Sequence, residues 1–279
     1  MTHDYRHSGA DRPVAEGAGP QIKPSPEPVG GRRRPGGRRV LFVNPPSVIQ
    51  EQMIQFLVTA QYEAAVIRDH RRVNPVVNAF PGSVVYFNID TRLPAVELEQ
   101  LITAVIAGSS RHGAEVGILS YNPNPDLARH YLMELGVTCG YVILELGFQK
   151  SARIVIKALE AAQARGERRF VRVKVPTGKG SFHIDVGGSA YTGDILDISE
   201  AGMACMLHGE FSPGTEFADI QLRLWGSILS VSGAVRGTRS SPVGTVYVIM
   251  FHEISDSRTR AKLYQFLSHV MQHEVDRYL

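Results

Sequence analysis

The chain has 279 residues, of which 43% are hydrophobic and 20% charged, so we expect one large globular domain or two ordinary ones. It contains no run of eighteen apolar residues and no apolar stretch near the start, which argues against a transmembrane helix and a secretory signal. Cys139 and Cys205 form neither a disulfide framework nor a metal-ligand pattern, so a reduced, cytoplasmic protein without a metal is expected.

The net charge of +3 is unevenly distributed. Residues 1–39 hold eight Lys or Arg and four acidic residues, a net +4, and the remainder is close to neutral at −1. Residues 1–38 are rich in Pro, Gly and Arg, and we predict a disordered basic tail. We interpret the basic cluster Arg32–Arg39 first as part of a solvated tail. The alternative is that it binds an acidic surface, RNA or anionic lipid. The folded part gives no charge-based reason to expect nucleic-acid binding.

Residues 39–165 alternate between short apolar runs and segments with helical periodicity. Helices are predicted in SVIQEQMIQFLVTAQ, PAVELEQLITAVIAG, NPDLARHYLMELG and SARIVIKALEAAQARG, with a weaker one in HRRVNPVVNAF. Asn124 is a candidate helix cap, and Gly136 and Gly166 are candidate helix ends. Strands are predicted in RVLFVNPP, AAVIRD, SVVYFNID, EVGILSYN and YVILELG. Strands of this kind predict a doubly wound parallel sheet, flavodoxin-like or receiver-like.

After Gly166 the pattern changes to short strands that alternate in polarity and are separated by Gly and Pro turns. Trp225-Gly226 lies between two such strands and predicts a hairpin. Ser257–Leu279 is predicted to be a helix with one apolar face that packs on the strands. Residues 166–279 are therefore expected to form an antiparallel β-barrel with a closing helix.

The first of these two domains lacks a glycine-rich phosphate loop after its first strand, which argues against a Rossmann or P-loop nucleotide site. Its layout resembles a response-regulator receiver, with Asp90 near the phospho-acceptor position and Ser120 and Lys150 at later strand ends. Receivers hold Mg²⁺ with an acidic pair after the first strand, where this chain has Asn44 and Pro45. An ordinary strand-end aspartate is therefore favoured over phosphorylation of Asp90.

Two short motifs flank the first strands of the predicted barrel. Arg168 and Arg172 form RxxxR, and Asp197, Ser199 and Gly202 form DxSxxG about 25 residues later. Each is weak alone, and their order on a small barrel resembles the PilZ domain, a receptor module for the cyclic dinucleotide c-di-GMP. The resemblance covers residues 166–279. The preceding domain then resembles a PilZN-type or degenerate receiver-like partner.

The resemblance implies that c-di-GMP is contacted by Arg168, Arg169, Arg172, Asp197, Ser199 and Gly202. The chemistry agrees, because a guanidinium fork meets guanine O6 and N7, stacks on the base and pairs with phosphate. A carboxylate can accept from the N1–H and N2–H edge of guanine. Other interpretations stay open: linker charge for the arginines, a plain Asx or Ser turn for residues 197–199, and Arg165 with Arg169 as the RxxxR pair.

We therefore expect a cytoplasmic c-di-GMP effector. The segment Glu167–Pro176 leads into the barrel and also joins the two domains, and we call it the lead-in. Ligand binding is expected to reorient them and to signal to a protein partner, which the resemblance suggests is motility or surface machinery. No catalytic set is evident, so an enzyme is not expected. His269 and His273 have zinc-like spacing without a third ligand, and a solvated face is favoured. The alternatives are a degenerate PilZ scaffold that binds no nucleotide and a nucleic-acid-binding protein acting through the Arg-rich tail.

Overall fold

The structure is a computed structural model that describes residues 36–47, 49–145, 147–242 and 244–278. The predicted basic tail therefore lies outside the described residues up to residue 35. Below, the α/β half means residues 36–165 and the barrel half means residues 166–278. In the described ranges, none of the helices combines the length and apolar composition needed to cross a bilayer.

The α/β half contains a five-stranded parallel sheet in the order β2-β1-β3-β4-β5. The strands are β1 (Val40–Val43), β2 (Ala64–Ile67), β3 (Val84–Asn88), β4 (Glu115–Ser120) and β5 (Tyr141–Ile143). Almost every residue of β1–β4 is buried, because helices cover both faces. This order is that of flavodoxin-like folds, which confirms the predicted doubly wound sheet.

Helices connect these strands and cover both faces of the sheet. The sheet therefore divides the apolar residues of this half into two clusters, one on each face. The helices are α1 (Ile54–Thr59), α2 (Val73–Ala79), α3 (Ala95–Ala107), α4 (Ser109–His112), α5 (Pro125–Arg129) and α6 (Phe148–Ala161). A π-helical turn (Ile49–Met53) leads into α1, a 3-10 turn (His70–Arg72) leads into α2, and a second π-helical turn (His130–Glu134) follows α5. The side chain of Asn124 accepts from the amide of Asp126 at 2.9 Å, as predicted for a cap.

The barrel half has seven antiparallel strands, of which six close on each other through the pairing of β8 with β9. The strands are β6 (Arg172–Lys174), β7 (Gly180–Val186), β8 (Ser189–Ser199), β9 (Gly202–Leu207), β10 (Glu216–Leu224), β11 (Ser227–Ser241) and β12 (Gly244–Phe251). Strand β6 pairs with the carboxyl-terminal part of β8, beyond the last residue that pairs with β7. Trp225 and Gly226 form the two-residue turn between β10 and β11. The predicted barrel and hairpin are thereby confirmed.

Helix α7 (Ser257–Asp276) closes the chain and contacts both halves. Its apolar face enters the barrel core, as predicted, but Val275 belongs to a core cluster of the α/β half. The side-chain amide of Gln272 accepts from Val66 N and donates to Val66 O, both at 2.9 Å. The amide therefore occupies the edge of β2 as a neighbouring strand would. The helix packs on more than the barrel, so the prediction was incomplete.

The structure differs from the sequence-based predictions at both ends of the α/β half, where the fold begins before residue 39 and α6 ends before Gly166. Arg38 donates to Gly82 O at 2.7 Å and to both Glu115 and Ala162 O at 2.9 Å, so it is part of the fold rather than of a tail. Helix α6 ends at Ala161 because Gln163 takes a left-handed conformation, with φ of 49°. The predicted end at Gly166 was therefore wrong.

Candidate functional site

The pairing of β6 with β8 brings the two motifs together. Arg172 lies opposite Ser199 and Lys174 lies opposite Asp197 in the antiparallel register. Arg172 Nη1 is 3.5 Å from Asp197 Oδ1. The two motifs, about 25 residues apart along the chain, therefore share one surface at the edge of the barrel.

Asp197 lies next to an irregularity in the ladder between β8 and β9, where the register shifts between Ile195 and Asp197. Bulges of this kind redirect side chains. Its Oδ1 atom is buried and has no hydrogen-bond partner within the described residues. The side chain of Arg172 is 42% exposed and that of Asp197 20% exposed, so the pair lies at the surface of the barrel although the Oδ1 atom itself is covered.

Ser199 and Gly202 build the turn between β8 and β9 rather than projecting from it. Ser199 is only 2% exposed, and its hydroxyl donates to the carbonyl of Gly202 at 3.3 Å. A Cβ atom at Gly202 would lie 2.3 Å from the carbonyl oxygen of Ile249. The close approach that requires glycine here is therefore to strand β12, so both residues hold the shape of the turn that carries Asp197.

The arginines of the lead-in differ in their surroundings. Arg168 and Arg169 are exposed, and the guanidinium of Arg169 lies 5.0 Å from the ring centre of Phe170. Arg165 instead donates to Ala60 O at 2.9 Å and lies 5.0 Å from the ring centre of Tyr62. Arg165 is thus engaged with the α/β half, which leaves Arg168 and Arg169, with Arg172, as cations open to a ligand.

Sequence reasoning missed a polar network that joins this site to the α/β half. Gln61 lies in the turn between α1 and β2, in a left-handed conformation with φ of 69°. Its oxygen accepts from the amide of Val171 at 2.8 Å, inside the RxxxR segment. Its nitrogen donates to Tyr264 OH at 2.7 Å and to Glu200 at 3.3 Å, inside the DxSxxG segment. No local pattern marks Gln61, because its partners Val171, Glu200 and Tyr264 are all distant in sequence.

Tyr264 on α7 completes the network by donating its hydroxyl proton to Glu200. Burial raises the pKa of Tyr264, and the hydrogen bond to Glu200 raises it further. The phenol therefore stays protonated and remains a donor at neutral pH. Arg260 Nε lies 3.6 Å from the other oxygen of Glu200. The carboxylate next to the turn is consequently held by groups from α7 and from the α/β half.

Two of the receiver-like residues, Asp90 and Ser120, are hydrogen-bonded to each other at the strand ends. Asp90 accepts from the hydroxyl of Ser120 at 2.8 Å and from the amide of Tyr121 at 2.6 Å. Lys150 pairs with Glu145 at 3.1 Å. In the part of the chain that the structure describes, no group of three or more His, Cys, Asp or Glu is placed to hold a metal ion. Asp90 is therefore a strand-end aspartate that ties β3 to β4.

Comparison with known proteins adds three solved structures. Escherichia coli YcgR in complex with c-di-GMP has 15% identity and a TM-score of 0.35, over 40% of this chain and 50% of that one. The Bacillus subtilis inhibitor of motility MotI/DgrA has 17% identity and a TM-score of 0.33, over 40% and 52%. Vibrio cholerae CheY4 has 18% identity and a TM-score of 0.37, over 46% and 99%. The chain thus spans about half the length of YcgR and of MotI. No curated protein matches.

The family model described as the PilZ domain matches residues 166–269. These residues include both motifs, the closed barrel and the first 13 of the 20 residues of α7. The match and the fold agree, and residues 166–269 are a PilZ domain.

Proposed function

We propose that the protein is a cytoplasmic c-di-GMP effector, a binding protein rather than an enzyme. The observation that carries the proposal is the juxtaposition of Arg172 with Asp197, whose buried Oδ1 has no hydrogen-bond partner within the described residues. A distance of 3.5 Å is too long for a good hydrogen bond, and a buried carboxylate oxygen without one is rare in proteins. The N1–H and N2–H donors of a guanine edge would satisfy Asp197, while the guanidinium groups meet the phosphates and the opposite base edge.

Each motif residue takes a defined part in the proposal. Arg172 and Arg168 close over the ligand from the lead-in, and Arg169 assists them. Asp197 reads the guanine edge. Ser199 and Gly202 contribute through the shape of the turn, which is supported by their burial and by the close contact with β12. Residues 39–165 and 166–279 remain our two proposed domains. The proposed tail of residues 1–38 is shortened at its end, because Arg38 is hydrogen-bonded to the α/β half.

Binding is measured by titration calorimetry with c-di-GMP. Replacing Arg172 with Ala removes charge-assisted hydrogen bonds and should cost about 1.5–3 kcal/mol, roughly 10- to 150-fold in Kd. Arg239→Ala is the matched control, because Arg239 is an exposed arginine on β11 outside both motifs. Equal affinities of the wild type and R172A would remove this arginine from the site. The absence of any binding by the wild type would favour the degenerate scaffold.

Base selectivity tests the role of Asp197. Asp197→Ala should weaken c-di-GMP more than c-di-AMP, because only guanine presents the paired donors at that edge. Asp194→Ala is the control, since Asp194 is an exposed acid on the same strand. An unchanged ratio of the two affinities in D197A would refute base-edge recognition.

We propose that Gln61 transmits binding to the α/β half. Its side chain holds the lead-in at Val171 and the turn at Glu200 at the same time, so movement of either segment acts on the turn between α1 and β2. Hydrogen exchange measures this coupling. Addition of c-di-GMP should change protection in residues 167–176 and 59–62 of the wild type, but only in residues 167–176 of Gln61→Ala. Identical responses in the two proteins would show that Gln61 is not the link. A protein partner, with motility machinery as the candidate, would respond to this change.

A further inference from the structure

A cleft of about 410 Å³ lies between the end of β2, the turn from β10 to β11, and α7. It shares no residue with the two PilZ motifs. Its volume is in the range of small-molecule sites. The side chains that line it include Arg68, Trp225, Lys262, His269, His273 and Asp276.

The charge of this cleft is positive and poorly compensated. Arg68 is exposed at the carboxyl end of β2, and within the described ranges no acidic side chain pairs with it. Lys262 Nζ contacts the carbonyl of Ile228 at 3.2 Å. The one acid in the lining, Asp276, already accepts from the amide of Gln272 at 2.8 Å. The lining therefore holds two cations and one carboxylate, and neither cation forms an ion pair among the described residues.

Two ring side chains of the cleft also bear on a ligand. His273 Nδ1 is buried and has no hydrogen-bond partner among the described residues. Its ring meets the indole of Trp225 edge-on, with ring centres 5.2 Å apart. Trp225 has φ of 48° because it is the first residue of the two-residue hairpin turn, which needs positive φ at both positions, and this turn holds the indole over the cleft. Buried polar atoms without a partner are uncommon in folded proteins, and a bound ligand would account for the one at His273.

We propose that this cleft is a second binding site, specific for a small phosphorylated molecule. Arg68 presents a planar fork that matches phosphate oxygens, and Lys262 supplies a second charge. His273 and His269 on successive turns of α7 offer further donors. Trp225 covers the bound group from the hairpin. The ligand would rest on both halves, since Arg68 follows a strand of the sheet and the other groups belong to the barrel half.

Trp225 is the single tryptophan of the chain, so intrinsic fluorescence reports on this cleft. We would titrate the full chain with inorganic pyrophosphate and with AMP, at constant ionic strength, and confirm each affinity by calorimetry. The proposal expects a saturable fluorescence change. Tighter binding of AMP would identify a nucleotide as the ligand class, and tighter binding of pyrophosphate would identify a non-nucleotide phosphate compound.

Arg68→Gln and Lys262→Gln should each weaken binding by about tenfold or more. Arg153→Gln, which removes an exposed arginine of α6 outside the cleft, should change it by less than about twofold. No saturable response up to about 10 mM of either probe, or equal affinities of the wild type and R68Q, would overturn the proposal. Loss of the response in R172A would assign the binding to the PilZ motifs instead, and would equally overturn it.

Discussion

The contact between Gln272 and the edge of β2 can be tested by replacing Gln272 with Leu, which keeps the size of the side chain and removes its polar atoms. The substitution deletes the two hydrogen bonds of 2.9 Å to Val66 and leaves its amide and carbonyl without them. It also deletes the bond of 2.8 Å that Gln272 donates to Asp276 on the same helix. Val66 is 3% exposed, so water reaches these groups poorly. Two lost bonds and two unsatisfied groups predict destabilisation of about 2–4 kcal/mol.

For a folded region of this size, that loss corresponds to a decrease in Tm of about 4–16 °C. Urea unfolding followed by circular dichroism gives the free energy, and calorimetry gives the Tm. Gln265→Leu is the matched control, because Gln265 is an exposed glutamine on the same helix. A decrease in Q272L no larger than that in Q265L would refute the claim that this amide replaces a neighbouring strand.

Three further predictions concern packing and charge. Gly202→Ala places a methyl group 2.3 Å from Ile249 O, so we expect a loss of about 1–3 kcal/mol in urea unfolding; an unchanged midpoint would show that the strands can separate. Burial raises the pKa of Glu63 above 4.5, against the opposing charge of Arg39, so the folded state binds this proton more tightly than the unfolded state. The associated stability is complete below pH 4.5 and is lost as the pH rises through the folded pKa. Glu63→Gln should flatten that part of the stability curve, and an identical curve would contradict this. A chain starting at residue 40 lacks the bonds of Arg38 and the ion pair of Arg39 with Glu274, so its Tm should lie below that of a chain starting at residue 36; equal Tm values would argue against a structural role.

The strands and the hairpin were predictable because they depend on local sequence patterns. The buried apolar runs identified the five parallel strands, and Trp225-Gly226 identified the hairpin, since both signals are contained in a few consecutive residues. The end of α6 was mispredicted because Gln163, rather than a glycine, took the left-handed position. A residue such as glutamine takes a left-handed conformation only when the surrounding structure stabilises it, so the sequence gives no local signal for this helix end.

The candidate site was predictable in its motifs but not in its connections. The register of β6 against β8 brings Arg172 to Asp197, and the order of the motifs anticipated that proximity. Gln61 and Gln272 act across about 110 and 206 residues of sequence, and a lone glutamine carries no periodic signal. The sequence also could not show that Ser199 and Gly202 face into the turn, because that depends on the position of β12.

The position of α7 restricts how this chain can be divided. The helix follows the last barrel strand, yet it supplies Val275 to the core of the α/β half and Gln272 to the edge of β2. A fragment that ends at residue 165 lacks α7 and therefore lacks both residues. The edge of β2 would then be free to pair with other molecules, which is a common route to aggregation. A gene rearrangement that moved either half alone would therefore yield a less stable protein that tends to aggregate. We therefore expect the two halves to be inherited together.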